Sequence, residues 1–63
     1  MESKEIDEAM RLKKPVKYNG RRYDYIAEYV LWYDINGQRR FSLGLVDGRT
    51  LMRVPAGKVE LAK

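Results

Sequence analysis

Three Asx-Gly dipeptides, Asn19-Gly20, Asn36-Gly37 and Asp47-Gly48, limit what this 63-residue chain can become more than any other feature. Each is a favoured filler of a two-residue type I′ hairpin turn, whose central positions both need a positive φ. The segments between them are rich in β-branched and aromatic residues, which suit a pleated, half-buried surface. The middle dipeptide separates 23–35 from 38–46 and is the strongest hairpin signal in the chain. A meander of antiparallel strands on tight turns follows.

Pro15 divides this β-rich part from what precedes it. Residues 1–14 carry Ile6, Ala9, Met10 and Lys13 at helical spacing, with good helix formers and no glycine. The spacing predicts a helix over 4–13, with Ser3 as N-cap and Pro15 biasing Lys14 out of the helical region. Acids lie early (Glu2, Glu5, Asp7, Glu8) and bases late (Arg11, Lys13, Lys14). That segregation complements the helix dipole, at about 0.3–1 kcal/mol each.

Two-residue turns fix register, so facing pairs follow. Across Asn36-Gly37 they put Asp34 opposite Arg39, Trp32 opposite Phe41, Val30 opposite Leu43 and Tyr29 opposite Gly44. Across Asp47-Gly48 they put Leu43 opposite Met52 and Phe41 opposite Val54. One face then stacks Trp32, Phe41 and Val54 with Val30, Leu43 and Met52 as the expected core. The other face carries Tyr29, Leu31, Tyr33, Arg40, Leu51 and Arg53. The core face turns polar at Glu28, where Ile26 and Ala27 offer a switch, so a strand over 21–35 is expected to bend through a bulge. Beyond Val54, Pro55 stops the strand, one turn follows, and Val59 and Leu61 alternate as a last short strand.

These features carry a resemblance. A short first strand (Val16 to Tyr18), a long bent one, a three-stranded meander and Val54-Pro55 followed by Val59 look like an SH3-like barrel. The spacing Pro15-Val16-x-Tyr18-x-Gly20-x-x-Tyr23, with Pro55 and Val59-Glu60 closing, resembles short uncharacterised proteins encoded in bacterial phage and mobile elements. The resemblance covers most of 15–61 and rests on turn glycines and core apolar residues. It implies a fold, a mainly β, five-stranded SH3-like barrel (15–63) behind an N-terminal helix (1–14), and no activity. The acidic loop and paired surface tyrosines of proline-motif-binding SH3 domains have no counterpart, so that binding is not implied.

Composition narrows the function. The chain has no Cys and no His, so neither a disulfide nor the usual His/Cys zinc ligand sets are available. Folding rests on an apolar core in a chain that buries only ~60% of its unfolded surface. Acid–base catalysis usually draws on His or a strongly shifted carboxylate or lysine, and Ser3 and Ser42 have no base to activate them. The carboxylates are scattered, with no calcium loop, and no glycine cluster precedes a helix to cradle phosphate. A barrel this small is expected to have no room for a cleft with buried functional groups. Neither an enzyme, a cofactor nor a metal site is expected, and no small-molecule substrate. No apolar run spans a membrane, and the polar start, Met1-Glu2-Ser3-Lys4-Glu5, is unlike a secretory signal, so a cytoplasmic protein is expected.

Binding remains, and the face of Tyr29, Leu31, Tyr33, Arg40, Leu51 and Arg53 is its candidate site. Tyr and Arg are enriched in protein interfaces, which favours a protein-interaction adaptor or self-association. The alternative is nucleic acid: aromatic side chains stack on bases, arginines neutralise phosphates, and Lys17, Arg21 and Arg22 extend the positive path. The net charge of +4 would steer anions. Two plainer roles compete for the same face. Tyr29 could cover the gap left by Gly44, or the N-terminal helix could bury Tyr29, Leu31 and Leu51 under Ile6, Met10 and Leu12.

Overall fold

The structure, a computed structural model, describes residues 2–62. A helix, α1 (Ser3–Arg11), precedes six strands: β1 (Val16–Tyr18), β2 (Arg21–Tyr23), β3 (Tyr25–Tyr33), β4 (Arg39–Asp47), β5 (Thr50–Pro55) and β6 (Val59–Leu61). One turn of 3₁₀-helix, Ala56–Lys58, joins β5 to β6. The strands form two three-stranded antiparallel sheets, ordered β2-β1-β6 and β3-β4-β5. The molecule is therefore mainly β with one N-terminal helix.

α1 begins one residue earlier and ends two residues earlier than its periodicity predicts, and its caps explain both shifts. Glu2, not Ser3, is the N-cap, and its backbone N–H donates to Glu5 Oε1 at 3.4 Å. At the other end Lys13 adopts φ 51°, and the Lys13 and Lys14 amides turn back to donate to the carbonyls of Met10 and Ala9 at 3.3 and 2.9 Å. This is a Schellman closure, and it stops the helix at Arg11 before Pro15 can. Ile6 and Ala9 face the core, with Met10 packed against it.

The three Asx-Gly dipeptides make three different turns. Asn19 and Gly20 both have positive φ (54° and 80°), as a type I′ turn requires, and Tyr18 pairs with Arg21. At the middle turn only Gly37 is left-handed (φ 77°). The Gly37 amide donates to the Asp34 carbonyl at 2.9 Å and the Asp34 amide to the Gln38 carbonyl at 3.0 Å. That is a three-residue loop in which a type I turn is followed by a left-handed glycine. Asp34 selects it, because its Oδ1 accepts from the backbone amides of both Asn36 and Gln38. At the third turn Gly48 (φ 63°) and Arg49 are the loop and Asp47 pairs with Thr50, so glycine takes the first central position.

Each change moves the register. Tyr29 now faces Leu43, Leu31 faces Phe41, Trp32 faces Arg40 and Glu28 faces Gly44, one residue away from the expected pairing. Between β4 and β5 the slide is two residues, so Leu43 meets Val54 and Leu45 meets Met52. A one-residue slip exchanges the faces of a strand. Val30 and Trp32 consequently leave the expected core. Leu43 and Val54 keep their expected places in it, joined by Ile26 and Leu45 and by Ile6, Ala9, Val16, Tyr23, Ala56 and Val59, whereas Phe41 and Met52, expected there too, are 37% and 38% exposed.

The bulge expected near Ala27 is present, as a register shift between Ile26 and Glu28. The expected single strand over 21–35 is broken at Asp24 into β2 and β3, which makes six strands rather than five. Asp24 fixes this corner. Its amide donates to the Val46 carbonyl at 2.7 Å, and its Oδ2 accepts from the Gly48 amide at 2.9 Å. No strand ladder joins the two sheets among the described residues, and no closed barrel is formed.

Candidate interaction surface

The β3–β4 hairpin extends past the core, and its far half is exposed on both sides. Alternation from buried Leu43 and its partner Tyr29 places Tyr29, Leu31, Tyr33 and Phe41 on the core-side face. Val30, Trp32, Arg40, Ser42 and Gly44 lie on the opposite one. Contacts agree with this assignment. The Tyr29 and Phe41 rings lie 5.5 Å apart, and Trp32 Nε1 donates to Ser42 Oγ at 2.8 Å. Leu31, Trp32 and Tyr33 are 48%, 44% and 64% exposed.

The residues singled out from the sequence are therefore divided. Tyr29, Leu31 and Tyr33 share the core-side face, while Arg40 and Arg53 lie on the opposite one. Leu51 is there too, beside Val46. The register slip is the physical cause of the split. Both arginines are also engaged: Arg40 Nε donates to Asp34 Oδ2 at 2.9 Å and Arg53 Nε to Glu28 Oε1 at 2.6 Å. Asp34 thus pairs with Arg40 rather than Arg39. Its carboxyl is held below the usual carboxylate range, first by the Gln38 amide and then by Arg40. Arg53 holds the Glu28 carboxyl down in the same way, chiefly through its hydrogen bond.

Glu28 also overturns the expected pairing of Tyr29 with Gly44. Its side chain lies across Gly44 and occupies the space a β-carbon there would need. Gly44 is buried beneath it although it sits on the outward face.

The other expected cations do not form one path. Lys17 and Arg22 are register partners on the β1–β2 sheet, with Glu60 opposite Lys17 on its other side. Arg21, one residue along, is ion-paired with Asp47. Nor does α1 cover the candidate face. It packs against β3, yet Leu31, Leu51 and Leu12 stay about half exposed.

An open groove of about 880 Å³ runs between the start of α1, the hairpin and the 3₁₀ turn. Ile6, Tyr29, Phe41 and Pro55 line it, with Arg39 and Lys58 alongside. Arg39 sits over the Phe41 ring at 5.2 Å, and neither it nor Lys58 has an ion-pair partner among the described residues. This groove is open and holds no buried functional group, and its Phe41 and Arg39 are residues whose expected places were the core and a pair with Asp34. The Asp34-x-x-Gly37 spacing, which favours a type I turn, was the signal that would have corrected the register. The groove offers aromatic and aliphatic contact beside the unpaired Arg39 and Lys58, with the ion-paired Arg40 and the acid Glu2 also at its wall, and no polar residue is buried among the described residues. No group of three or more carboxylates converges among the described residues in a way that would hold a metal ion.

Comparison with protein-family models, curated proteins and solved structures finds no match to this chain. The class that stands is a small, mainly β protein with one N-terminal helix. No helix in the described residues is long and apolar enough to cross a membrane.

Proposed function

We propose that this chain is a non-catalytic protein-interaction module, a cytoplasmic adaptor of mobile-element origin on an SH3-like fold. It engages another polypeptide, or itself, through the β3–β4 hairpin. The observation that carries this reading is the pairing state of the hairpin. Its aromatic and aliphatic side chains are open, whereas Arg40 and Arg53 are held by acids of the same chain. Exposed Tyr, Trp, Phe and Leu clustered on a rigid element suit a protein partner. The SH3-like reading draws support from the pairing of β1 with β6 and from the one-turn connection ahead of β6.

Nucleic-acid binding is the alternative, favoured by one observation: Arg39 and Lys58 flank Tyr29 and Phe41 in the groove. An amide-resolved NMR titration with single- and double-stranded oligonucleotides at ~50 and ~200 mM salt separates the two. The protein-interaction reading predicts no movement of 29–33 and 39–42 at either salt. Shifts clustered there at low salt and absent at high salt would overturn it.

A further inference from the structure

Four strands lie at sheet edges, and three of them are blunted. β2 is three residues long and carries Arg21 and Arg22; β6 is equally short with Glu60 at its centre; β5 carries Arg53 and ends on Pro55. Short length, charge and proline are the devices by which natural edges avoid pairing with another chain. The fourth edge, β3, is nine residues long. Its first half is protected by the bulge at Ala27, by Glu28 and by Lys13, just beyond α1, whose Nζ lies 5.3 Å over the Tyr25 ring. From Tyr29 to Tyr33 none of these devices appears. The stretch is Tyr-Val-Leu-Trp-Tyr, uncharged, and among the described residues its only strand partner is β4.

We propose that the occupant of this edge is the same edge of a second copy, paired antiparallel about a two-fold axis at Leu31, so that two three-stranded sheets become one. The proposal rests on the protein-interaction reading and names its partner. The pairing sets Leu31 against Leu31 of the second copy, Tyr29 against Tyr33 and Val30 against Trp32. Each is an aliphatic or aromatic cross-strand pair of the kind that stabilises sheets. With no charge in 29–33, two identical edges meet there without like-charge opposition. At the ends Glu28 comes opposite Asp34, and each acid arrives already paired, with Arg53 and Arg40. A two-fold contact is self-complementary by symmetry and closes at two copies, so an uncharged edge persists without growing into fibres.

Sedimentation equilibrium on the full chain tests this with Leu31→Lys and Leu31→Glu, substitutions at a half-exposed position. The wild type is expected to be a dimer. Each variant alone is expected to dissociate at least about tenfold more readily, and an equimolar mixture of the two to recover dimer. A wild-type chain monomeric up to ~1 mM, a variant that dimerises like wild type, or a mixture that fails to recover would each overturn the proposal. A mixed-labelled wild-type sample gives a reading that needs no variant. Intermolecular contacts between the Tyr29 and Tyr33 rings are expected, and a dimer without them overturns the register. A monomeric wild type that still cross-links another protein from Tyr33 would sink self-pairing alone and leave the interaction reading intact.

Discussion

Gly44 and Glu28 show most sharply how one side chain sets what another position tolerates. Because Glu28 lies across Gly44 on its way to Arg53, a methyl group at Gly44 must displace it. Gly44→Ala should cost about 1–3 kcal/mol, in the range of overpacking. In a Glu28→Ala background the same change should cost little or stabilise, since alanine loses less backbone freedom than glycine in a strand. Urea unfolding of the four proteins, followed by Trp32 fluorescence, measures this coupling, and equal costs in both backgrounds would contradict it. Glu28, held by Arg53, and Asp34, held first by the Gln38 amide and then by Arg40, contribute to the acid response. Both carboxyls titrate below their ordinary values in the folded chain. The stability they contribute is thus complete above about pH 5 and lost as pH falls through the lowered values. Asp34→Asn should flatten the acid limb of stability below about pH 5, measured by urea unfolding at each pH. An unchanged limb would remove Asp34 as its source.

Most elements can be read from the sequence, because each has a local cause. β1 and the last strand fall where the alternation puts them, the Ala27 bulge lies where the core face changes, and Ile6 and Ala9 point inward as their spacing predicts. Register could not be read from the dipeptides alone. Asn36-Gly37 suits a two-residue I′ turn, but Asp34, two residues earlier, offers a carboxylate to the loop amides and draws the backbone into a wider turn. One residue of difference moved Trp32 out of the core and divided the candidate face. The helix end was hidden for a related reason: the left-handed cap falls on Lys13, not on a glycine. Because α1 supplies two of the fully enclosed core residues, Ile6→Ala should lower stability by about 2–5 kcal/mol. Thermal unfolding gives that number directly. A change under about 1 kcal/mol would mean that α1 is an appendage.

At the scale of the whole molecule, a small core supports a hairpin longer than the core needs. The principal extents of 35 × 23 × 19 Å record that projection. A chain whose buried residues are confined to α1, the base of the two sheets and the 3₁₀ turn gains nothing for its own stability by exposing Leu31, Trp32 and Tyr33. Clustered apolar surface of this kind ordinarily marks a contact. At that surface Arg40 and Arg53 are held by Asp34 and Glu28, while Arg39 and Lys58 have no ion-pair partner among the described residues, so the aromatic and aliphatic side chains rather than the charges carry the proposed polypeptide contact. The most direct test places a photoreactive phenylalanine analogue at Tyr33, irradiates cells that express the chain, and identifies the adduct by mass. The account predicts adducts to polypeptide, at twice the 7.4 kDa chain mass if the partner is a second copy. Adducts to nucleic acid, or a yield no higher than from the exposed helix position Asp7, would contradict it.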